Sequence, residues 1–123
     1  MKYFSTRDKK LDYDFKAVFL RGLAPDGGLF VPKQIEKYSQ DSLEKLSKLN
    51  YLDLATEIIY YFCKENLSKN KVSKIVQKSY SKFSSDNVVS IKKFQDIALL
   101  ELYHGPTLAF KDIAMQIIGN MFN

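Results

Sequence analysis

Apolar residues recur at helical spacing through the N-terminal part of the chain. One set, Val72, Ile75, Val76 and Tyr80, falls on a single helix face, while the lysines between them fall on the other face. Such a stripe is typical of a helix that packs on a core, so these four are predicted core residues. Similar spacing predicts four helices: Phe15 to Arg21, about Asp41 to Leu49, Tyr51 to about Glu65, and about Ser68 to Tyr80.

Polar residues mark the predicted ends of these helices. Asp14 and Asn50 stand directly before two of the apolar patterns, where a side-chain oxygen can accept a hydrogen bond from a free backbone N–H. Asp41 and Glu44 have the spacing of a capping box. Gly22 follows the first helix and predicts its C-terminal end.

Short extended segments accompany the helices. Lys2 to Ser5 is predicted as an edge strand, and Leu29 to Val31 as an extended segment closed by Pro32. Further along, the pattern predicts strands from Val88 to Phe94 and from Ile97 to Tyr103, joined by a tight turn. The apolar run that begins at Ile97 predicts a buried strand. We therefore expect an α+β chain, with a helical module at 1–83 and the opening of an α/β unit at 84–123.

The last predicted helix, from Ala109 onward, is apolar on nearly all sides. Helices of this kind are usually buried on several sides. The rest of this chain supplies too few apolar residues to cover this one. We therefore expect the chain to be a truncated protein whose remainder packs on this helix. The alternative is self-association through the same surface. The apolar positions are Ile113, Ala114, Ile117, Ile118 and Met121.

Composition narrows the functional classes. The chain has 123 residues, is 46% hydrophobic and carries a formal net charge of +5. The positive charge is almost all lysine, since Arg7 and Arg21 are the only arginines, and the lysines are scattered among acidic residues. Nucleic-acid readers rely on clustered arginine and lysine, so we interpret the basicity as a solvated surface and expect no nucleic-acid partner.

Cysteine, histidine and the N-terminal residues set further bounds. Cys63 is the only cysteine, which suits a reducing compartment, and it is predicted to be a core residue. His104 is the only histidine, so neither a histidine metal cluster nor a Ser-His-Asp triad is expected. The polar start of the chain and the lack of a long apolar run predict a cytoplasmic protein without a membrane span.

Lys111 is the residue with the most distinctive predicted chemistry. It follows the Gly105-Pro106 break and falls in the first turn of the last predicted helix. The positive end of the helix and an apolar collar of Leu108, Ala109 and Phe110 both disfavour an ammonium ion. We therefore expect this amine to deprotonate readily, as imine formation with an aldehyde requires. The alternative is an ordinary lysine at a helix start.

Two segments of the chain resemble the threonine synthase family. Glu101 to Asp112, Glu-Leu-Tyr-His-Gly-Pro-Thr-Leu-Ala-Phe-Lys-Asp, is similar to the lysine segment of that family. Ser5-Thr6-Arg7 and Arg21 to Pro32 are similar to two further runs of the family, in the same order. The resemblance covers the whole chain, weakly between residues 35 and 95.

The resemblance implies a cofactor, a fold and a reaction. It implies that Lys111 forms a Schiff base with pyridoxal 5'-phosphate and then acts as the proton-transfer base. It also implies that the hairpin and last helix open an incomplete α/β domain of fold type II. The implied enzyme is a carbon–oxygen lyase of threonine biosynthesis that converts O-phosphohomoserine and water to threonine and phosphate. Metal is not part of the implied site.

Five neighbouring residues are weaker candidates, each with a structural alternative. Thr6 and Arg7 are candidates for contact with the substrate phosphate, although a surface ion pair is the commoner fate of an arginine. His104 ends a predicted strand, where it serves either a ligand or local backbone groups. Thr107 is expected to hydrogen-bond free amides of the first helical turn, and Asp112 to stabilise the positive helix end, with active-site roles as the alternative.

Parts of the implied site are missing from the sequence. No glycine-rich phosphate cup opens a helix, and no partner for the pyridine nitrogen stands out. We therefore expect the chain alone to be inactive as a threonine synthase. Two other readings stay open: a threonine-synthase-like phospholyase acting on another amino-alcohol phosphate, and a non-catalytic interaction module derived from the same N-terminus.

Overall fold

The computed structural model describes residues 1–122 and mixes helices with short strands, as predicted. No helix within this range is long and apolar enough to cross a membrane. The elements follow the order β1 (Tyr3–Ser5), α1 (Phe15–Arg21), β2 (Phe30–Pro32), α2 (Gln40–Leu46), α3 (Tyr51–Cys63), α4 (Lys69–Tyr80), β3 (Ser90–Phe94), β4 (Ile97–Glu101) and α5 (Asp112–Met121).

The chain divides into two compact units. The first unit contains Met1–Lys48 and Thr56–Val72, and the second contains Leu49–Ala55 and the chain from Ser73 onward. Helices α3 and α4 therefore each contribute residues to both units. The predicted division into domains 1–83 and 84–123 remains a prediction.

The first unit begins with a two-stranded antiparallel sheet and a capped helix. β1 pairs with β2, with Ser5 opposite Phe30. Helix α1 begins where predicted, because Asp14 Oδ1 accepts a hydrogen bond from the Ala17 N–H over 2.8 Å. It ends at Gly22, whose φ of 72° lies in the region that glycine adopts without strain. The predicted limits of α1 are thus confirmed.

Helix α2 begins earlier than predicted. Ser39, not Asp41, is the N-cap residue, and its hydroxyl oxygen accepts from the Ser42 N–H over 3.2 Å. Asp41 lies in the first turn instead, where its negative charge faces the positive helix end. The prediction failed because two polar residues near the start of the helix both fit the capping position.

The predicted core residues of α4 are buried. Val72 and Val76 have no exposed surface, and Ile75 and Tyr80 are nearly covered. Cys63, at the end of α3, is also buried, and burial raises the pKa of its thiol to about 11. The interpretation of the α4 stripe as core, and of Cys63 as a core residue, is confirmed.

In the second unit, β3 and β4 form the predicted hairpin. Phe94 pairs with Ile97 next to the turn, and Ser90 pairs with Glu101 at the far end. The prediction that β4 is buried is wrong for the chain as described, because Ile97 and Leu99 are 71% and 51% exposed. The hairpin is a separate two-stranded sheet, and no third strand pairs with it among residues 1–122.

Helix α5 packs against the end of α4. The Tyr80 hydroxyl donates to the Ile113 carbonyl over 2.9 Å, and Ser79 Oγ donates to the Gln116 carbonyl over 3.1 Å. Ile117 is buried, whereas Met115 is 56% exposed. Much of the apolar surface of α5 is thus uncovered within the described chain, and self-association through it stays a prediction.

Candidate functional site

Lys111 lies at the start of α5, one residue before its first helical residue. It is the N-cap residue, with φ −63° and ψ −22°, and its carbonyl accepts from the N–H groups of Ala114 and Met115 over 3.1 and 2.8 Å. The helix begins three residues later than the predicted start at Ala109. Residues 109–113 form tighter turns instead, because the N–H groups of Asp112 and Ile113 donate to the carbonyls three residues back, over 3.0 and 3.4 Å.

The amine of Lys111 is solvent-accessible and unpaired. Within residues 1–122, Nζ makes neither a hydrogen bond nor an ion pair. The predicted apolar collar is wrong, because Leu108 and Phe110 are 71% and 64% exposed and do not enclose the amine. Instead, Lys111 lines an open apolar depression of about 330 Å³, whose other walls are Leu102, Phe110, Ile113, Ala114 and Met115.

The loop before Lys111 is held by the carboxylate of Asp112. Asp112 is 3% exposed, and its Oδ2 accepts from both the N–H and the hydroxyl of Thr107, over 2.7 and 2.8 Å. Oδ1 accepts from the Gln116 amide over 3.3 Å. Burial by itself would raise the pKa of this carboxyl, but the hydrogen bonds from Thr107 and Gln116 hold the pKa below its usual value.

These contacts revise the predicted role of Thr107. Its hydroxyl donates to Asp112, and among residues 1–122 no amide of the first helical turn donates to this hydroxyl. The spacing did not anticipate that Asp112, five residues on, presents a charged acceptor to this hydroxyl. Thr107 and Asp112 are thus brought together by direct contact, and Lys111 lies between them in sequence.

Gly105 lies against the Asp112 side chain. A Cβ atom at position 105 would stand 2.4 Å from Asp112 Cβ and 2.5 Å from its Oδ2, distances that atoms do not adopt. The Gly105 carbonyl also accepts from the Leu108 N–H over 3.1 Å, which closes a turn. The absence of a side chain at Gly105 is therefore a requirement of this loop.

A second cluster of polar groups surrounds Glu101 at the end of β4. Glu101 is 5% exposed and accepts from Lys92 Nζ over 2.7 Å and from Ser90 Oγ over 2.6 Å. Hydrogen bonds from Lys92, Ser90 and Tyr103 lower the pKa of Glu101 to about 2. The carboxylate is therefore ionised at neutral pH and ties the two strands of the hairpin together.

His104 joins this cluster through a single ring nitrogen. Its Nε2 lies 3.0 Å from Ser90 Oγ and 3.4 Å from Glu101 Oε2. In a Ser-His-Asp triad the serine and the carboxylate bind opposite nitrogens of the ring, so this arrangement is not a nucleophilic triad. The His104 carbonyl accepts from the Ser84 N–H over 2.9 Å, which anchors the residue to the chain before the hairpin.

Sequence reasoning missed Glu101 and Ser90 as members of the cluster. Glu101 was detectable, because it is the one charged residue inside an otherwise apolar run, and such a residue needs partners when buried. Ser90 was detectable too. The predicted two-residue turn fixes the register of the hairpin, and this register places Ser90 opposite Glu101.

Thr6 and Arg7 belong to the first unit, where they hold the turn around Asp26. Arg7 Nη1 donates to the Asp26 carbonyl over 2.9 Å, and Thr6 Oγ1 accepts from the Leu29 N–H over 3.0 Å. Hydrogen bonds from the Ser5 hydroxyl and the Gly28 N–H keep the pKa of the Asp26 carboxyl low. Both candidates thus have structural partners, and contact with a substrate phosphate stays a prediction.

Comparison with known families and sequences gives consistent matches. The family described as the threonine synthase N terminus matches residues 2–80. Threonine synthase of Schizosaccharomyces pombe is 36% identical over 124 residues, which cover 99% of this chain and 24% of that protein. Threonine synthase of Methylobacillus glycogenes is 39% identical over 132 residues, which cover 99% of this chain and 28% of that protein.

Solved structures match over the same extent. Yeast threonine synthase superposes with a TM-score of 0.93 and 37% identity, covering 98% of this chain and 25% of that one. A threonine synthase from Brucella melitensis with bound pyridoxal phosphate gives a TM-score of 0.93 and 34% identity, covering 98% and 26%. The chain spans about a quarter of the length of the relatives it matches.

Proposed function

This chain belongs to the threonine synthase family, and from that premise we propose that it supplies the N-terminal part and the cofactor lysine of a pyridoxal-phosphate-dependent threonine synthase. The observation that carries the proposal is the unpaired amine of Lys111, which lies beside an apolar depression and directly after a loop closed by hydrogen bonds between Thr107 and Asp112. A solved relative with bound pyridoxal phosphate supports the choice of cofactor.

The residues around Lys111 fit one end of this cofactor. A free primary amine suits its aldehyde, and the apolar wall that includes Phe110 and Met115 suits the face of its aromatic ring. Among residues 1–122, no glycine-rich loop precedes a helix. These residues therefore offer no set of backbone N–H groups that could bind the phosphate of the cofactor. We propose that the phosphate-binding site belongs to the part of the enzyme that this chain does not span.

The proposed reaction converts O-phosphohomoserine and water to threonine and phosphate. Bound pyridoxal phosphate supplies an electron sink for the carbons that lose protons. Lys111 would hold the cofactor through Nζ, and the same amine would accept and return protons at neighbouring substrate carbons. We assign no proton transfer to Asp112, whose two oxygens already accept hydrogen bonds from Thr107 and Gln116.

A chimeric enzyme tests the proposal. This chain would replace the matching segment of yeast threonine synthase, with which it superposes over 98% of its length. We expect the chimera to form threonine from O-phosphohomoserine, and Lys111→Ala to lower kcat by at least about a hundredfold, the usual contribution of a proton-transfer group. Lys93→Ala, which removes an exposed lysine of β3, is the matched control and should leave kcat unchanged. Full activity of the Lys111→Ala chimera would refute the proposal.

The chain alone is proposed to be inactive. Turnover of O-phosphohomoserine by the purified 123-residue chain would contradict this. The coding sequence downstream of residue 123 supplies an independent test, because continuation through a glycine-rich loop would support the threonine synthase reading.

One match bears on the alternative that the enzyme is a phospholyase. The protein called threonine synthase-like 2 of Xenopus laevis is 34% identical over 125 residues, which cover 26% of that protein. The chimera assay therefore includes phosphoethanolamine, a simple amino-alcohol phosphate, with phosphate release as the readout. Phosphate release from this compound without threonine formation would favour a phospholyase. A folded chimera that acts on neither substrate would favour the non-catalytic module.

A further inference from the structure

We infer that Asp112 is the positioning residue for Lys111, an inference that rests on the proposed function. Its carboxylate binds Thr107 on the far side of the loop and lies in the first helical residue, directly after Lys111. The loop and the helix start are thereby joined across the lysine. Asp112 acts through Thr107 and the backbone, not by contact with the reacting atoms.

The contact between Thr107 and Asp112 consists of hydrogen bonds to one carboxylate. Both donors of Thr107, the backbone N–H and the hydroxyl, reach the same oxygen, Oδ2. The Asp112 carboxylate is 3% exposed, and both of its oxygens accept hydrogen bonds within the chain, three in all. Such a group has little freedom to move, so the residues between Thr107 and Asp112 share its order.

The backbone between Thr107 and Asp112 is strained, so a contact is needed to hold it in this conformation. Leu108 has a φ of 61°, a left-handed conformation that leucine rarely adopts. Its side chain is 71% exposed, so packing of that side chain does not hold the conformation. Strain of this kind persists only when surrounding contacts enforce it, and the Thr107–Asp112 contact flanks it directly.

Gly105 completes the arrangement from the other side. The Asp112 carboxylate occupies the space that any side chain at position 105 would need. The backbone of Gly105 and the side chain of Asp112 therefore fix each other at close range. Lys111 emerges from this loop with its backbone direction set and its amine free at the edge of the apolar depression.

Hydrogen exchange in the full chain tests the structural half of the inference. We compare Thr107→Val, which removes only the hydroxyl, and Asp112→Asn with the matched control Asp86→Ala, an exposed aspartate in the same unit. Amides of residues 107–113 should exchange at least about tenfold faster in the first two variants, because weaker hydrogen bonding between Thr107 and Asp112 lets the whole loop open more often. Thr107→Ser keeps the hydroxyl and should restore the original rates.

Chemical labelling tests whether the contact between Thr107 and Asp112 positions Lys111. The chain is treated with pyridoxal phosphate, whose aldehyde oxygen leaves as water while the lysine nitrogen bonds to its carbon. Borohydride then supplies the hydride that makes the bond permanent. Mass spectrometry gives the ratio of labelled Lys111 to labelled Lys93, and the same ratio in urea gives the value for an unpositioned lysine. Circular dichroism first shows that each variant stays folded, so that a shift of this ratio reports loss of positioning and not general unfolding.

The expected result is a folded ratio that differs from the unfolded one by about threefold or more. Thr107→Val and Asp112→Asn should move it to the unfolded value, while Thr107→Ser and Asp86→Ala should not. Agreement between Thr107→Val and Asp112→Asn also excludes a simple charge effect, since only the second variant alters charge. An unchanged ratio in Thr107→Val, or a wild-type ratio equal to the unfolded one, would overturn the inference. Failure of the proposed function has a different signature, an active Lys111→Ala chimera.

Discussion

Ser90 and Glu101 face each other at the open end of the β3–β4 hairpin, and the serine hydroxyl donates to the carboxylate over 2.6 Å. The same carboxylate accepts from Lys92 on β3. A residue near the end of one strand thus holds two residues of the other. The chain that leads to Lys111 begins directly after this anchor.

The Glu101 anchor predicts a specific loss of stability in acid. The pKa of Glu101 is about 2 in the folded chain, against an ordinary value of 4.5. The folded state therefore binds fewer protons in this interval, so the stabilisation is complete above 4.5 and is lost as the pH falls toward 2. Urea unfolding at about pH 5 and about pH 3 should show a larger fall for the wild-type chain than for Glu101→Gln.

A matched control for this experiment is Glu36→Gln, an exposed glutamate of the first unit. This variant should keep the full acid sensitivity of the wild-type chain. Equal falls in stability for Glu101→Gln and wild type would show that the anchor does not contribute.

Gly105→Ala should destabilise the chain by about 1–3 kcal/mol, the usual effect of forcing an extra methyl into filled space. The new Cβ would meet the Asp112 side chain at 2.4 Å, and neither the buried carboxylate nor the loop backbone has room to yield. Chemical denaturation gives the difference in unfolding free energy.

The comparison variant for Gly105 is Gly119→Ala. A Cβ at Gly119 meets no atom within 4 Å, and the residue lies inside α5. Alanine there should raise stability by up to about 1 kcal/mol, because it favours the helix. A neutral Gly105→Ala variant would mean that the loop can move away from Asp112.

Asn50→Ala should destabilise the chain by about 1 kcal/mol through loss of the α3 cap. The Asn50 side-chain oxygen accepts from the Asp53 N–H over 2.9 Å, and its amide donates to the Asp53 carboxylate over 2.7 Å. Asn50→Ser should recover most of the loss, since a hydroxyl also caps. Asn70→Ala, at an exposed position in α4, serves as the control and should not destabilise the chain. Thermal unfolding distinguishes the variants.

Cys63 should react slowly with thiol reagents in the folded chain. Its side chain has no exposed surface, and the raised pKa of about 11 keeps the thiol protonated at neutral pH. A colorimetric disulfide reagent should therefore label it many times faster in urea than in buffer. Equal rates would indicate that the end of α3 opens readily.

Periodicity and capping chemistry predicted much of the fold. The limits of α1 followed from Asp14 and Gly22, and the hairpin register followed from a two-residue turn. These features depend on residues close in sequence, so local rules suffice. The start of α2 was missed because Ser39 and Asp41 both have the chemistry of a cap, and only the backbone geometry distinguishes them.

The site was predicted less completely than the fold. Lys111 was located at a helix start, but its supposed collar is exposed, since the apolar residues before it lie in a loop instead of a helix. The Thr107–Asp112 contact spans a turn that contains the left-handed Leu108, and no spacing rule anticipates such a residue. Contacts that depend on an unusual backbone conformation are beyond pattern-based prediction.

The exposed hairpin has a consequence for handling the protein at high concentration. Among residues 1–122 each of its strands pairs on one side only, so both outer edges offer free backbone groups to another chain. β3 carries Lys92 and Lys93, which discourage such pairing, whereas the exposed part of β4 from Ile97 to Leu100 carries no charge. We expect aggregation to begin by strand addition at β4, and a lysine in place of Leu99 should delay it.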